Sequence, residues 1–118
     1  MVLLDTCILI DYSKDQNVIS KNDKVTYCIN SIIELEFIVG ALNKRELKKT
    51  NTLLTEFQLV DIDQDVLNVA TQLMNAYTLS HGMTVYDSII AATCLVYDLP
   101  LLTHNKKDFR FIIGLKLI

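Results

Sequence analysis

The 118-residue sequence contains no tryptophan, one proline and only three glycines. No Pro- or Gly-rich linker, repeat or low-complexity tract divides it, so residues 1–118 are expected to form a single domain. The sequence also lacks the run of about 20 apolar residues that a membrane helix needs, and its start, MVLLD, has no signal-peptide regions. We therefore expect a cytoplasmic protein without a membrane partner.

The cysteines and histidines are too few and too far apart for the sites that they usually build. Cys7, Cys28 and Cys94 are odd in number and form no C-x-x-C pair, which argues against a disulfide framework or a zinc ribbon. We interpret all three as reduced core residues, because free cysteine is usually buried. The two histidines form no H-x-x-x-H pair. Any metal site would therefore use oxygen ligands.

Positive charge is also scarce, since 11 Lys and Arg residues face 14 Asp and Glu residues and give a net charge of −3. This sign argues against a protein that holds nucleic acid through phosphate contacts alone. The basic residues are nevertheless clustered, and each cluster is either a solvated face or a docking surface for phosphates. The clusters are Lys44, Arg45, Lys48 and Lys49, and Lys106, Lys107 and Arg110.

Short apolar segments alternate with segments of helical character. Strands are predicted at residues 2–4, 25–29, 58–62 and 101–103, with a short fifth strand in GLKLI at the end. These strands are apolar throughout and do not alternate with polar residues, which is typical of a parallel sheet covered on both faces. The expected fold is a three-layer α/β/α domain with a central parallel sheet of four or five strands.

Helices are predicted between these strands. One begins at CILIDY and continues unevenly through KDQNVIS, and SIIELEFIVGALNKRE forms another, with KKTNTLLTEF as a further helical piece or turn. A third begins after Asp63 and stops at Gly82, with an apolar stripe of helical period: Val66, Val69, Ala70, Leu73, Ala76 and Tyr77. The segment TVYDSIIAATCLVYD forms the last helix, which Pro100 ends.

Asp5, Glu36 and Asp87 each adjoin a nearly uncharged apolar segment. Acidic residues are rarely buried unless they are paired or hold a cation. In a parallel sheet the carboxyl ends of the strands share one edge, and ligands bind there where the strand order reverses. Asp5 follows the first strand, so we expect it on the same edge as the residues after the fourth strand: Thr103, Asn105 and Asp108.

Helix capping is the alternative role for each acid. Asp5 can cap the next helix, and Asp87 can be the last member of a capping box that begins at Thr84. A second box, from Ser31 to Glu34, accounts for Glu34 but not for Glu36. Positions two apart on a helix point about 200° apart, so both glutamates cannot face one cleft. We therefore choose Glu36 as the site residue.

Three motifs occur in the order and separation of a known family. They are LLDTCILIDY at the start, INSIIELEFIVGA in the middle, and VYDSIIAATCLVYDLPLLTHNKKDF near the end. Together they resemble the PIN-domain ribonucleases and, in size and motif, the toxins of VapC type. The resemblance places Asp5 with Thr6 at the first strand, Glu36 before Gly40, and a final group: Asp87, Thr103, Asn105 and Asp108.

Carboxylates packed this closely raise one another's pKa, so the ionised cluster needs a cation. Carboxylate oxygen favours Mg²⁺ or Mn²⁺, whose chemistry suits phosphodiester hydrolysis. We assign Asp5 and Asp87 as principal ligands and Glu36 as a ligand or as the residue that orients the attacking water. Either Asn105 or Asp108 completes the site, with Asp108 as an outer ligand, and the Thr6 and Thr103 hydroxyls support the carboxylates or water.

The resemblance implies an endoribonuclease toxin that cuts a structured RNA, is inhibited by a cognate antitoxin and works as a homodimer. The two basic clusters would bind the RNA phosphates, through Lys44 and Arg45 in one cluster and Lys106 and Lys107 in the other. One alternative is a receiver-type signalling domain phosphorylated at Asp61, with Lys106 as its partner cation. Another is a PIN fold without activity that serves as a scaffold.

Overall fold

A parallel sheet of four strands forms the centre of the computed structural model, which describes residues 1–20 and 24–118. The strand order is β3-β2-β1-β4, and every pairing is parallel. The strands are β1 Val2–Leu4, β2 Tyr27–Asn30, β3 Gln58–Val60 and β4 Leu101–Leu102. The chain adds β2 and β3 on one side of β1 and then crosses to add β4 on the other. The order therefore reverses beside β1, where a ligand crevice is expected.

Helices connect these strands and cover the sheet, so the predicted three-layer architecture is confirmed. They are α1 Thr6–Lys14, α2 Ser31–Val39, α3 Lys44–Leu54, α4 Gln64–His81 and α5 Val85–Tyr97, with 3₁₀ turns at Gln16–Val18 and Lys106–Asp108. Every residue from 88 to 94 of α5 is buried. None of the helices in the described ranges is long and apolar enough to cross a membrane.

Helix α4 begins and ends where its sequence predicts. The Asp63 side chain accepts a hydrogen bond from the Val66 amide at 3.0 Å, which caps the first turn. Gly82 ends the helix in the left-handed conformation, with φ +62°, which only glycine adopts at little cost. Of the predicted apolar stripe, Val66, Ala70 and Leu73 are buried, whereas Ala76 is exposed.

The segment predicted as one helix, SIIELEFIVGALNKRE, is in fact two, and KKTNTLLTEF continues the second of them. Asn43 accepts a hydrogen bond from the Glu46 amide at 2.9 Å, and the Glu46 carboxylate accepts one from the Leu42 amide at 2.7 Å. This reciprocal pair is close to a capping box and starts α3 as a new helix. The break after α2 leaves Gly40, Ala41 and Leu42 outside both helices.

Three further boundaries differ from the prediction. The second strand lies at 27–30, two residues beyond the predicted start, and β3 ends at Val60. The expected fifth strand is a single bridge between Leu101 and Leu117. The cap of α2 is Asn30, whose side chain accepts from the Ile33 amide at 3.0 Å, so the box assigned to Ser31 and Glu34 is wrong.

Candidate active site

Asp5 lies at the point where the strand order reverses, directly after β1. Its side chain is 6% exposed and uses both carboxylate oxygens. Oδ1 accepts from the Thr6 amide at 2.8 Å, and Oδ2 accepts from the Thr103 hydroxyl at 2.7 Å. Asp5 therefore both caps α1 and joins the ends of β1 and β4.

Thr103 links Asp5 to the loop after β4. Its hydroxyl is buried and also accepts from the Asn105 amide at 3.0 Å. The Asn105 side chain is exposed, and so is Asp108, three residues further along in the 3₁₀ turn. The sequence motif T-x-N thus positions the backbone of this loop through the threonine hydroxyl.

Glu36 projects from α2 towards the same crevice. Its Oε1 atom is buried and has no hydrogen-bond partner among the described residues, and the same holds for the Thr6 hydroxyl. Burial raises the pKa of Glu36 above its usual range, and the charges of Asp5 and Asp87 raise it further. An unpaired buried carboxylate oxygen is costly, so this site favours a positively charged ligand.

Asp87 enters the crevice from the first turn of α5. Its amide donates to the Thr84 hydroxyl at 3.1 Å, so the predicted cap at Thr84 is present. Burial, then the negative charges of Asp5 and Asp108, together raise the pKa of the Asp87 carboxyl from 3.8 to about 6. Asp87 therefore does both: its amide is capped by Thr84, and its carboxylate lies near the other acids.

The structure brings together the four acids that the sequence singles out: Asp5, Glu36, Asp87 and Asp108. Their mutual electrostatic effects show that they are close, since each of Asp5, Asp87 and Asp108 raises the pKa of another of the four acids. As the side chains stand, no three acidic, histidine or cysteine groups of residues 1–20 and 24–118 are arranged to hold a metal ion. The roles assigned to the individual acids stay predictions.

Cys7 belongs to this site, although we interpreted it as a core residue. Its thiol lies 3.6 Å from Asp5 Oδ2 and accepts from the His104 amide at 3.5 Å. Burial raises the pKa of the Cys7 thiol, which keeps it neutral. Cys28 and Cys94 are buried as predicted, and all three thiols are free. The available signal was the position of Cys7 two residues after Asp5.

Asn30 is a second residue that the sequence analysis missed. It is fully buried, and its amide nitrogen donates to the Thr93 hydroxyl at 2.9 Å while its oxygen caps α2. This side chain fixes the helix that carries Glu36 against the helix that carries Asp87. A lone polar residue at the end of an apolar strand, as in CIN, was the available signal.

Comparison with known proteins identifies this arrangement, because the family model described as PIN domain matches residues 2–112. The chain belongs to the PIN-domain family. It is 29% identical over 110 residues to Ribonuclease VapC1 of Methanocaldococcus jannaschii, covering 92% of this chain and 78% of that protein. It is 25% identical to Ribonuclease VapC19 of Mycobacterium tuberculosis, covering 92% of each.

Solved structures show the same fold over the whole PIN domain. A toxin-antitoxin complex from Klebsiella pneumoniae is 29% identical, with a TM-score of 0.78, and covers 100% of this chain and 96% of its own. DNA-bound VapBC from Salmonella typhimurium is 25% identical, with a TM-score of 0.79, and covers 100% and 98%.

A groove of about 620 Å³ runs along the PIN domain between α1, α2 and α3. Glu36 contributes to its wall, so the groove opens onto the acidic crevice. Its lining is mainly apolar, with two lysines and two glutamates among the apolar residues: Ile10, Phe37, Leu42, Leu53, Lys14, Lys49, Glu36 and Glu46. The break between α2 and α3 supplies Gly40, Ala41 and Leu42 to this lining.

The receiver-type alternative is not supported by the sheet order. Asp61 follows β3, at one edge of the sheet, whereas Lys106 follows β4, at the opposite edge. Asp61 is exposed, and its backbone carbonyl accepts from the Tyr97 hydroxyl at 3.0 Å. The strand ends that carry Asp61 and Lys106 are separated by β2 and β1, so the PIN domain lacks the pairing that a phosphoacceptor pocket requires.

Proposed function

We propose that this PIN domain is a divalent-metal-dependent endoribonuclease and the toxin of a toxin-antitoxin pair. The observation that carries the proposal is the buried Oε1 of Glu36, which has no hydrogen-bond partner among residues 1–20 and 24–118 and faces the carboxylates of Asp5 and Asp87. The names of the curated relatives, Ribonuclease VapC1 and VapC19, support RNA as the substrate. In this proposal the enzyme is a homodimer and its substrate is a structured RNA.

The residues of this site fit a hard divalent cation. The donors are carboxylate oxygens, with hydroxyls beside them, and this set selects Mg²⁺ or Mn²⁺ over softer metals. Asp5, Glu36 and Asp87 would hold the ion, with Asp108 further out. Such an ion, when bound, supplies a water of lowered pKa and neutralises charge on a phosphate group.

The chain's own contribution is positioning and charge. Thr6 and Thr103 hold the Asp5 carboxylate in one orientation through hydrogen bonds to its two oxygens. One carboxylate oxygen of Glu36 has no partner in the described part of the chain, so it can accept a hydrogen bond from the attacking water or bind the ion. In the neighbouring loop, Asp108 adds negative charge on the solvent side of Asp87.

Docking of the RNA would use the basic residues that surround the crevice. Lys106 and Lys107 are exposed in the same 3₁₀ turn as Asp108, so a phosphate held there lies near the acids. Lys44 and Arg45 are exposed at the start of α3, on the far side of the groove. They would bind a more distant part of a long substrate.

An antitoxin is the protein partner that we propose, and the groove between α1, α2 and α3 suits it. Its apolar walls would bury the apolar face of a peptide segment, and its lysines and glutamates would pair with charged side chains of that segment. A segment in this groove would reach Glu36 and obstruct the crevice. The similarity to the toxin-antitoxin complex from Klebsiella pneumoniae supports this partner.

The test is the variant Asp87→Asn, which keeps the side-chain shape and removes the charge. We expect cleavage of a structured RNA in Mn²⁺ to fall by about 100-fold or more, because a principal metal ligand is lost. Fluorescent RNA fragments resolved by electrophoresis measure the rate, and circular dichroism checks that the fold is retained. Asp61→Asn, an exposed acid at the other edge of the sheet, is the matched control.

Undiminished cleavage by Asp87→Asn would refute the assignment of the site. Equal loss in Asp61→Asn would show that the assay reports overall charge and not the crevice. If the unaltered protein neither cleaves RNA nor gains thermal stability from Mn²⁺, the PIN domain is an inactive scaffold.

A further inference from the structure

We propose that His81, stacked on Phe111, forms a platform that binds one unpaired nucleobase of the RNA beside the acidic crevice. This inference rests on the proposed function, because it concerns the substrate of the same site. It adds a base-binding subsite to a set of residues that otherwise contact only phosphate and metal. The subsite would select single-stranded or looped RNA over a continuous duplex.

The rings of this platform are already ordered against one another. The His81 imidazole lies parallel to the Phe111 ring, with centroids 4.0 Å apart and an interplanar angle of 17°. Tyr77 meets both rings by an edge, at 4.9 Å from Phe111 and 5.6 Å from His81. The Ser80 hydroxyl lies 2.7 Å from His81 Nδ1, which fixes the rotation of the imidazole.

His81 presents a free aromatic face. The residue is exposed, whereas Phe111 beneath it is partly buried against the core. One face of the imidazole is covered by Phe111, and Tyr77 lies at its side. No aromatic contact covers the other face within the ranges that the structure describes. A base could therefore extend the existing stack by one ring.

The platform is adjacent to the acids along both chain segments that build it. His81 ends α4, and the short connection through Gly82 and Thr84 leads directly to Asp87 in the first turn of α5. Phe111 follows Asp108 by three residues. The segment from His81 to Asp87 and the segment from Asp108 to Phe111 are therefore close at two places. Asp108 acts on Asp87 through its charge, and Phe111 stacks on His81.

Base stacking would compensate for the weak electrostatic attraction between this negatively charged chain and RNA. With a net charge of −3, the protein gains little from long-range attraction to RNA. Base stacking on an aromatic ring does not depend on net charge, and every base offers a π-face. The segment from Lys106 to Phe111 contains three basic and two aromatic residues, so phosphate and base contacts can be made by one short stretch.

Binding can be measured without cleavage. The probe is a single-stranded 2′-O-methyl RNA with 2-aminopurine moved through successive positions, titrated in EDTA. We expect quenching of 2-aminopurine at one position by the unaltered protein, which reports stacking. His81→Ala should abolish the quenching and weaken affinity by about 5- to 100-fold, as loss of one stacked ring does. Since His81 is exposed, this variant should fold normally.

Two further variants give the control and the rescue. His81→Phe keeps a ring over Phe111 and should restore both quenching and affinity, which a role of the imidazole charge would not predict. Leu79→Ala removes a side chain that is 101% exposed on the other side of α4, about 200° around the helix, and should leave RNA binding unchanged. Light scattering on each variant measures the oligomeric state.

Unchanged affinity and quenching in His81→Ala would overturn the platform, even if the protein still cleaves RNA. If Leu79→Ala and His81→Ala weaken RNA affinity equally and light scattering shows a smaller oligomer for both, this end of α4 is an interface between copies of the chain and the platform is rejected. Absence of RNA binding by the unaltered protein would overturn it as well. Ring-dependent quenching without cleavage in Mn²⁺ would support the platform and reject the nuclease.

Discussion

The acidic residues of the crevice destabilise the metal-free protein at neutral pH. Burial and neighbouring negative charge raise the pKa values of Glu36 and Asp87, so the folded state binds protons more tightly than the unfolded state does. The free energy of unfolding must then fall as these carboxyls ionise. The arrangement that suits a cation therefore lowers the stability of the metal-free protein.

This linkage gives a prediction for Asp87→Asn that is independent of activity. With a pKa of 3.8 unfolded and about 6 folded, the carboxyl lowers the stability of the protein as pH rises from about 4 to about 6. In EDTA at pH 7 we expect Asp87→Asn to be more stable by about 1–2 kcal/mol, allowing for partial solvent screening. At pH 4 the two proteins should unfold alike. Urea denaturation at both pH values measures the difference.

Addition of Mn²⁺ at pH 7 should reverse this order, because only the unaltered protein retains the full set of ligands. Asp61→Asn is again the control and should follow the unaltered protein at both pH values. A stability gain of Asp87→Asn that is the same at pH 4 and pH 7 would show that the effect is not electrostatic.

At the scale of residues, the sequence is informative where chemistry is local. Asp5, Glu36 and Asp87 stand out because each adjoins an apolar segment, and helical geometry alone separates Glu36 from Glu34. The partners of Cys7 and Asn30 could not be predicted in this way. Cys7 meets Thr103 and Asn30 meets Thr93, and such contacts between distant segments exist only after the chain has folded.

Helix capping determines the shape of the groove. Apolar periodicity continues from α2 towards α3, so the pattern predicts one long helix across Gly40. The side chains of Asn43 and Glu46 instead satisfy the backbone at a new helix start. Capping hydrogen bonds outweigh periodicity here, and the turn that they create supplies part of the groove wall.

We therefore expect Asn43→Ala to destabilise the protein by about 1 kcal/mol, the usual result of losing an N-cap side chain. Asn51→Ala is the matched control, since Asn51 is exposed within α3 and, in the ranges that the structure describes, hydrogen-bonds only to the Leu47 carbonyl. That change should leave stability within about 0.5 kcal/mol, because alanine favours helix interiors. Thermal or urea unfolding at pH 5 measures both. Equal effects of the two substitutions would contradict the capping argument.

At the scale of elements, the order of strands and helices could be predicted from alternating apolar segments, and it is confirmed. The length of β2 and the reduction of the fifth strand to a bridge at Leu117 could not. Strand ends depend on which neighbour is available for pairing: β1 pairs with both β2 and β4, β2 also pairs with β3, and β4 also meets Leu117.

Over the whole molecule, the topology separates two basic surfaces from one acidic crevice. The turn Lys106–Asp108 follows β4 and lies beside the acids, whereas α3 stands across the groove. We therefore expect a short RNA bound at the crevice to contact the first basic surface but not the second. Because phosphate contacts release counterions, the salt dependence of affinity reports how many are made.

We accordingly expect the two surfaces to respond differently to RNA length. For a six-nucleotide 2′-O-methyl RNA in EDTA, Lys106→Ala with Lys107→Ala should reduce the slope of log K against log salt by about 1.4, as two lost phosphate contacts require. Lys44→Ala with Arg45→Ala should change the slope only for a 20-nucleotide RNA. Lys116→Ala, which removes an exposed lysine 3.3 Å from Asp98, is the control and should change neither slope. An equal effect of Lys44→Ala with Arg45→Ala on the short RNA would place α3, and not the turn after β4, beside the bound strand.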